Sequence, residues 1–268
     1  MRMRRNINAQ SIRIRMLASG SNGNSILLSS PGINLLIDAG LSCRELERRL
    51  ALVGHTPADI TAAIITHEHQ DHVRGIGVLS RKYGMPVHIN ARTLKAARAT
   101  TGEVPTARLF STGDTLEMGN LIVQTYPVPH DAADPIGLSV DNCSSRVGIA
   151  LDMGYATKLV KQRLRDSSVL ILEFNHDPDM LRQCPRPWEL KQRILSKKGH
   201  MSNGAALELL CDLAHDSLRA VVLAHISREA NSTQLAYRMV SERLREIGRR
   251  HISVVVSTQE EVSEAVEA

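Results

Sequence analysis

The sequence predicts an α/β protein with two β-sheets or one large mixed sheet. Three observations carry this. Short apolar runs of strand length recur in both halves, at 33–37, 62–66, 169–174 and 220–224. Runs of that kind belong to strands buried on both faces. Amphipathic stretches with helix-start signals lie between them. Their interleaving over 268 residues is the pattern of sheets flanked by helices.

Taken in order, residues 12–17 alternate Ile with Arg and predict a half-exposed strand. Strands at 25–28 and 33–37 form a hairpin through Ser29, Ser30, Pro31 and Gly32. Ser42 caps a helix over 44–53, with Glu45 placed to complete a capping box. A strand at 62–66 leads through a polar segment into a helix over 73–83. A strand at 87–89 and a helix at 91–100 follow. Residues 107–128 return to strands, turning at Thr112-Gly113 and at Met118-Gly119-Asn120. Strands at 136–140 and 146–151, a helix at 156–166 and a strand at 169–174 continue the pattern. Helix 205–214, strand 220–224 and helix 234–247 complete it. No repeat, linker or low-complexity stretch interrupts the chain. The expected organisation is a flexible basic tail at 1–11 and one domain over 12–268.

Composition narrows the function classes. With 43% hydrophobic and 23% charged residues the chain buries a core and is not intrinsically disordered. No apolar run nears the roughly 18 residues of a membrane span. Residues 1–10 are Arg-rich and lack a signal peptide's apolar centre, so the expected location is the cytoplasm, away from membranes. Aromatic residues make up only 3%, which argues against base-stacking platforms for single strands. The net charge of +5 equals the contribution of Arg2, Arg4, Arg5, Arg13 and Arg15, leaving the remainder neutral. The four cysteines form no C-x-x-C pair, so they read as reduced thiols and not as a zinc knuckle. Eleven histidines are the real excess.

Three of these fall in one segment. His67, Glu68, His69, Gln70, Asp71 and His72 follow directly on the strand at 62–66. Alternate residues of an extended segment point the same way, so His67 and His69 can converge on one metal. Asp71 and His72, at the start of the next helix, can face a second metal about 3.5–4 Å away. Further candidate ligands sit just past buried strands: His130, Asp152 and His225. Together these seven residues are a candidate binuclear site.

The H-x-H-x-D-H segment and these strand-end residues resemble the metallo-β-lactamase fold superfamily, over nearly the whole chain from Ile12 to about Val254. The resemblance implies a four-layer αββα sandwich, with two mixed sheets flanked by helices. It implies that His67, His69 and His130 hold one metal, that Asp71, His72 and His225 hold the other, and that Asp152 bridges them. Asp38, after an early strand, would orient a ligand imidazole. The ligands suit two divalent ions, manganese or zinc.

Three further segments bear on the substrate. The turn with Ser19, Ser21 and Asn24 suits either an anion cradle or a plain tight hairpin. Lys198, His200 and Ser202 precede the helix at 205–214 and can bind phosphate there, although a Ser cap with an incidental His is also open. Glu173 ends a buried strand and can hold His200 protonated. His176 and Asp177 stay undecided. Residues 182–198 carry six cations against Glu189 alone, the composition of a basic groove. With the Lys-Lys-Gly-His-Met-Ser segment and the Trp188 region, these features resemble the WalJ/YycJ-type branch of metal-dependent exonucleases. That resemblance implies hydrolysis of duplex DNA from 5′ to 3′ by a two-metal-activated hydroxide, with His200 and Glu173 assisting. A small phosphodiester or ester hydrolase, or an RNA-directed nuclease of the same fold, is the alternative. Oligomeric state is not legible in the sequence.

Overall fold

The computed structural model describes residues 11–268. The predicted tail at 1–11 therefore lies outside the described residues, apart from Ser11, which hydrogen-bonds Glu267.

The described residues form two seven-stranded sheets. The first holds β1 (Arg13–Ala18), β2 (Ser25–Ser30), β3 (Ile33–Ile37), β4 (Ala62–Ile64), β5 (Val87–Asn90) and β6 (Ala107–Phe110). The second holds β7 (Thr115–Met118), β8 (Leu121–Pro127), β9 (Ile136–Asp141), β10 (Arg146–Ala150), β11 (Val169–Glu173), β12 (Ala220–Ala224) and β13 (Ser253–Val256). The chain then returns to the first sheet, where β14 (Val266–Glu267) pairs with β1. Both sheets are mixed. β1 to β3 are antiparallel and β3 to β6 parallel. β7 to β10 are antiparallel and β10 to β13 parallel.

Alternation along the strands explains the layering. Val169 and Ile171 of β11 face the core between the sheets, whereas Leu170 and Leu172 face outward. Ala220 and Val222 of β12 make the inner choice, and Val221 and Leu223 the outer one. On the outer side they meet α5 (Lys158–Leu164), α8 (Asn203–Leu213) and α9 (Thr233–Glu246). The outer face of the first sheet is covered by α1 (Cys43–Leu52), α3 (Ile76–Tyr83) and α4 (Ala91–Thr101). The result is the four-layer αββα sandwich, with central strands such as β4, β11 and β12 buried on both faces.

Several local expectations shift. Ser42 caps α1 by accepting the Glu45 amide, but the Glu45 carboxylate turns to Arg48 and Arg49, so the box is half made. The helix expected over 73–83 begins later, as α3, after a separate short α2 (Gln70–Val73); between them the Gly75 amide turns to the Ala39 carbonyl. The helix expected at 156–166 shortens to α5, which Thr157 caps. Two helices were not expected, α6 (Pro178–Gln183) and α7 (Trp188–Leu195).

The loops that follow β1, β3 and β4 pack backbone against backbone. The Asn24 amide donates to the Asp71 carbonyl at 2.7 Å, and the Gly40 amide to the Asn24 carbonyl at 2.9 Å. A Cβ on Gly40 would lie 1.6 Å from the Asp71 carbonyl oxygen. Gly40→Ala must push Asp71 away, and such overpacking costs about 1–3 kcal/mol. The expected result is a lower urea midpoint together with weaker metal binding. An unchanged midpoint would show that the two loops separate freely.

Candidate metal centre

The seven proposed ligands meet at one edge of the sandwich, drawn from the ends of strands in both sheets. Two of them, and Asp38 beside them, depend on unusual backbone. Asp38 follows β3, Asp152 follows β10 and His225 follows β12, with φ of 60°, 49° and 53°. Left-handed backbone at a non-glycine residue is costly and concentrates where function over-determines it. Here it turns each side chain from the strand direction into the cleft.

His67, His69 and His130 form one group of ligating atoms. His67 Nε2 lies 3.1 Å from His69 Nδ1, and His69 Nδ1 lies 3.2 Å from His130 Nε2. Three ring nitrogens cannot satisfy one another at that spacing with shared protons alone. Nitrogens bound tetrahedrally to zinc at about 2.1 Å would stand about 3.4 Å apart, so a cation fits between them. The opposite ring atoms are tied down. His130 Nδ1 donates to the Gly199 carbonyl at 3.1 Å, and His67 Nδ1 meets the Thr66 hydroxyl at 3.0 Å.

Asp71, His72 and His225 form a second group, and His67, His72 and Asp152 a third that joins the two. Asp71 Oδ2 is 3.5 Å from both His72 Nε2 and His225 Nε2. Asp152 Oδ2 stands 2.9 Å from His72 Nε2 yet in no hydrogen-bonding geometry, and both that oxygen and His225 Nε2 are buried without a hydrogen-bond partner. Buried atoms of that kind want a cation. Asp152 thus lies between the groups, where a bridging ligand would be.

Asp38 orients more of the site than one imidazole. Its Oδ2 accepts from His72 Nδ1 at 2.7 Å and from the Thr66 hydroxyl at 2.8 Å. The proton is thereby fixed on Nδ1 of His72, leaving Nε2 for the cleft. Through Thr66 the same carboxylate also steadies His67. Thr66 was not anticipated, although it sits at the end of the strand beside the motif. Asn175 was missed as well; its side chain donates to the His225 carbonyl at 3.0 Å.

Electrostatics follow the same plan. Burial lowers the His67 pKa, as neighbouring imidazoles do. At His72 burial acts in the same direction but is outweighed by Asp152, Asp38 and Asp71, which hold its pKa well above the ordinary value. At His225 burial is outweighed by Asp152, Asp71 and Glu173. Burial works against ionised Asp152, yet His225 and His72 keep its pKa well below normal. The carboxylates therefore draw positive charge into the cleft. His, Asp and Glu clusters in this arrangement suit divalent metal ions.

Beside these groups, His200 Nδ1 hydrogen-bonds Glu173 Oε1 at 2.7 Å. Burial would lower the His200 pKa, but Glu173 and Asp152 lift it to about 9. Glu173 is fully buried at the end of β11 and also contacts His225 Nδ1 at 3.0 Å. Its second oxygen accepts the Met153 and Met201 amides. The loops are interlocked as well. A Cβ on Gly154 would stand 2.3 Å from the Lys197 carbonyl oxygen, and the Gly154 amide reaches the Pro129 carbonyl.

Other expected substrate contacts are placed differently. Ser19 is buried and its hydroxyl accepts the His225 amide at 2.7 Å, so it positions a ligand and does not face an anion. Asn24 is buried too. Its oxygen accepts the Gly20 amide, and its NH2 group lies 3.1 Å from Asp71 Oδ2 and 3.0 Å from His72 Nε2. Ser202 caps α8. Asp177 caps α6, and the His176 carbonyl takes the Asn203 amide. Ser21 and Lys198 remain exposed. The basic stretch is largely spent: Arg182 pairs with Asp179, Arg186 with Glu229, Arg193 with Asp131, and Lys191 is buried on the Arg182 carbonyl. Lys197 and Lys198 are its exposed cations without an acidic partner among the described residues.

A family model for the beta-lactamase superfamily domain matches residues 33–226, from β3 to just past His225. This chain belongs to that superfamily. Among relatives in the superfamily, the exodeoxyribonuclease YycJ of Bacillus anthracis is 36% identical, over 88% of this chain and 90% of its own length. The exodeoxyribonuclease WalJ of Streptococcus pneumoniae is 35% identical, over 83% of this chain and 84% of its own. The metallo-beta-lactamase fold protein YhfI of Bacillus subtilis superposes with a TM-score of 0.74 at 17% identity, covering 97% of this chain and all of YhfI. The superfamily fold accounts for the position of the centre, since its ligands ride on the loops after strands.

Proposed function

We propose that the protein is a metal-dependent exodeoxyribonuclease of the metallo-β-lactamase fold, acting in the cytoplasm on duplex DNA from 5′ to 3′. One observation carries the reading: His200, its Nδ1 held by buried Glu173, stands against Asp152 at the edge of two adjoining ligand groups. A phosphodiester needs both parts, charge neutralisation and a nearby acid. The names of the YycJ and WalJ relatives support DNA as the polymer. Among the described residues no helix is long and apolar enough to cross a membrane.

His67, His69 and His130 would hold one ion, and Asp71, His72 and His225 a second, with Asp152 shared. Two divalent ions there, manganese or zinc, would supply an activated water and neutralise phosphoryl charge. The protein's own groups do the rest. Glu173 occupies Nδ1 of His200, so its Nε2–H remains to bind a phosphoryl oxygen. The charge on His200 strengthens that bond as negative charge builds. When the P–O bond breaks, His200 is placed to give the leaving oxygen its proton. Lys197 and Lys198 add sequence-independent attraction for the backbone.

End-labelled duplex DNA, single-stranded DNA and RNA, each with manganese, zinc or chelator, test this directly. Duplex DNA is expected to shorten from its 5′ end with metal and to survive chelator. Its binding should weaken steeply as salt rises. Turnover restricted to small esters, with no response to salt, would reject the nuclease reading.

A further inference from the structure

The turn between β1 and β2, residues 19–24, reaches all three ligands of one metal group. The Ser19 hydroxyl accepts the His225 amide at 2.7 Å. The Asn24 backbone amide donates to the Asp71 carbonyl, and the Asn24 side-chain NH2 lies 3.1 Å from Asp71 Oδ2 and 3.0 Å from His72 Nε2. Among the described residues the turn makes no hydrogen bond to His67, His69 or His130. One loop thus serves Asp71, His72 and His225 and leaves the other three imidazoles alone.

The orientation of the Asn24 side chain is fixed. Its Oδ1 accepts the Gly20 amide at 2.9 Å, and its Nδ2 donates to the Gly20 carbonyl at 3.1 Å. Turning the group over would set oxygen against oxygen and nitrogen against N–H. The second N–H of Nδ2 therefore points at Asp71 and His72. Asn24 is buried, which keeps water from competing for that hydrogen. Asp38 holds the His72 proton on Nδ1, so Nε2 offers a lone pair. With that lone pair given to an ion, the Asn24 N–H is left to Asp71 alone and sets the rotation of its carboxylate. The turn is itself held by the segment after β13. Ser257 gives both its amide and its hydroxyl to the Leu223 carbonyl, two residues before His225. The Thr258 carbonyl accepts the Ser19 amide at 3.0 Å. Buried Gln259 then grips the turn with both atoms of its side-chain amide: Oε1 accepts the Asn22 amide at 2.8 Å, and Nε2 donates to the Gly23 carbonyl at 2.9 Å.

We propose that residues 257–259 and the turn at 19–24 form a bracket that sets the affinity of the Asp71/His72/His225 ion and not that of its neighbour, with Asn24 and Gln259 as its positioning residues. The inference rests on the two-ion reading and goes beyond it, since it makes the centre two sites under separate control. Hydrogen-bond partners behind metal ligands are commonly worth about 10–100-fold in affinity. Here those partners stand on one loop and beside one group. Loss of the bracket loosens one ion and spares the other.

The test is calorimetric titration of the metal-free, full-length protein with zinc. Two backgrounds separate the sites: His225→Ala keeps the His67/His69/His130 ion, and His69→Ala keeps the other. In His69→Ala, adding Asn24→Ala is expected to weaken zinc by about 10–100-fold, and adding Gln259→Ala to weaken it several-fold. In His225→Ala, neither change should alter zinc affinity. That background is the control for general loosening, which would weaken the remaining ion there as well. Gln259→Met keeps the length of the side chain without its hydrogen bonds, and is expected to behave as Gln259→Ala does. Equal weakening in both backgrounds, no weakening in either, or wild-type affinity restored by Gln259→Met overturns the proposal. Two ions in the wild type without the selective loss reject the bracket and keep the two-ion centre. A single ion in the wild type rejects both. No DNA enters the measurement, so its outcome does not depend on whether the protein cuts it.

Discussion

His200→Ala is expected to lower DNA turnover by about 10²–10⁴-fold, the usual worth of a positioned acid, while leaving metal content at the wild-type level. His200 lies outside the three three-residue groups, although it also clusters with Asp152, Glu173 and His225, and its side chain is 19% exposed. On the proposed mechanism, what disappears is the imidazolium that binds the scissile phosphate. Glu173→Gln should lower turnover as well, since the amide no longer supports a charged imidazole. Metal analysis and single-turnover rates on the same preparations decide the matter. Near-normal turnover in His200→Ala would remove the acid from the mechanism. Loss of metal in that variant would make His200 a ligand instead.

Asp152→Asn is expected to act on the metals themselves. Asp152 clusters with His67 of one group and His72 of the other, its Oδ2 2.9 Å from His72 Nε2, so one carboxylate stands between both groups. Asparagine keeps the shape and tolerates the left-handed backbone at this position. Only the charge and one acceptor are lost. Removing an outer hydrogen-bond partner of a ligand costs about 10–100-fold in metal affinity, and loss of the shared carboxylate should exceed that. Competition with a chromophoric chelator should show both ions weakened together. Full occupancy and normal turnover would place the bridge elsewhere. Weakening of one ion alone would assign Asp152 to a single group.

Much of this architecture is legible in the chain because its signals are local. Strands such as 169–174 and 220–224 announce themselves by unbroken apolar composition, and the ligands stand out as polar residues just past those runs. The H-x-H-x-D-H spacing is itself a geometric statement about which rings converge. The rest depends on partners far away in sequence. Ser19 meets the His225 amide across 206 residues, so nothing near Ser19 shows that its hydroxyl is committed. The basic stretch misled for a similar reason: Arg186 and Arg193 are neutralised by Glu229 and Asp131, 43 and 62 residues away. β14 is two residues long and exists only because β1 offers it an edge. α7 follows a Pro-Arg-Pro segment that reads as a loop.

The ligands are shared out between the two sheets. His67, His69, Asp71 and His72 come from loops of the first, and His130, Asp152 and His225 from loops of the second. Each group of three therefore draws on both. An ion held there is a rivet through the sandwich, and the sheets cannot part without surrendering it. Resistance to unfolding then rises with the logarithm of free ion, by about 2.7 kcal/mol at one hundred times the dissociation constant. The protein's resistance to unfolding would in this way follow metal supply.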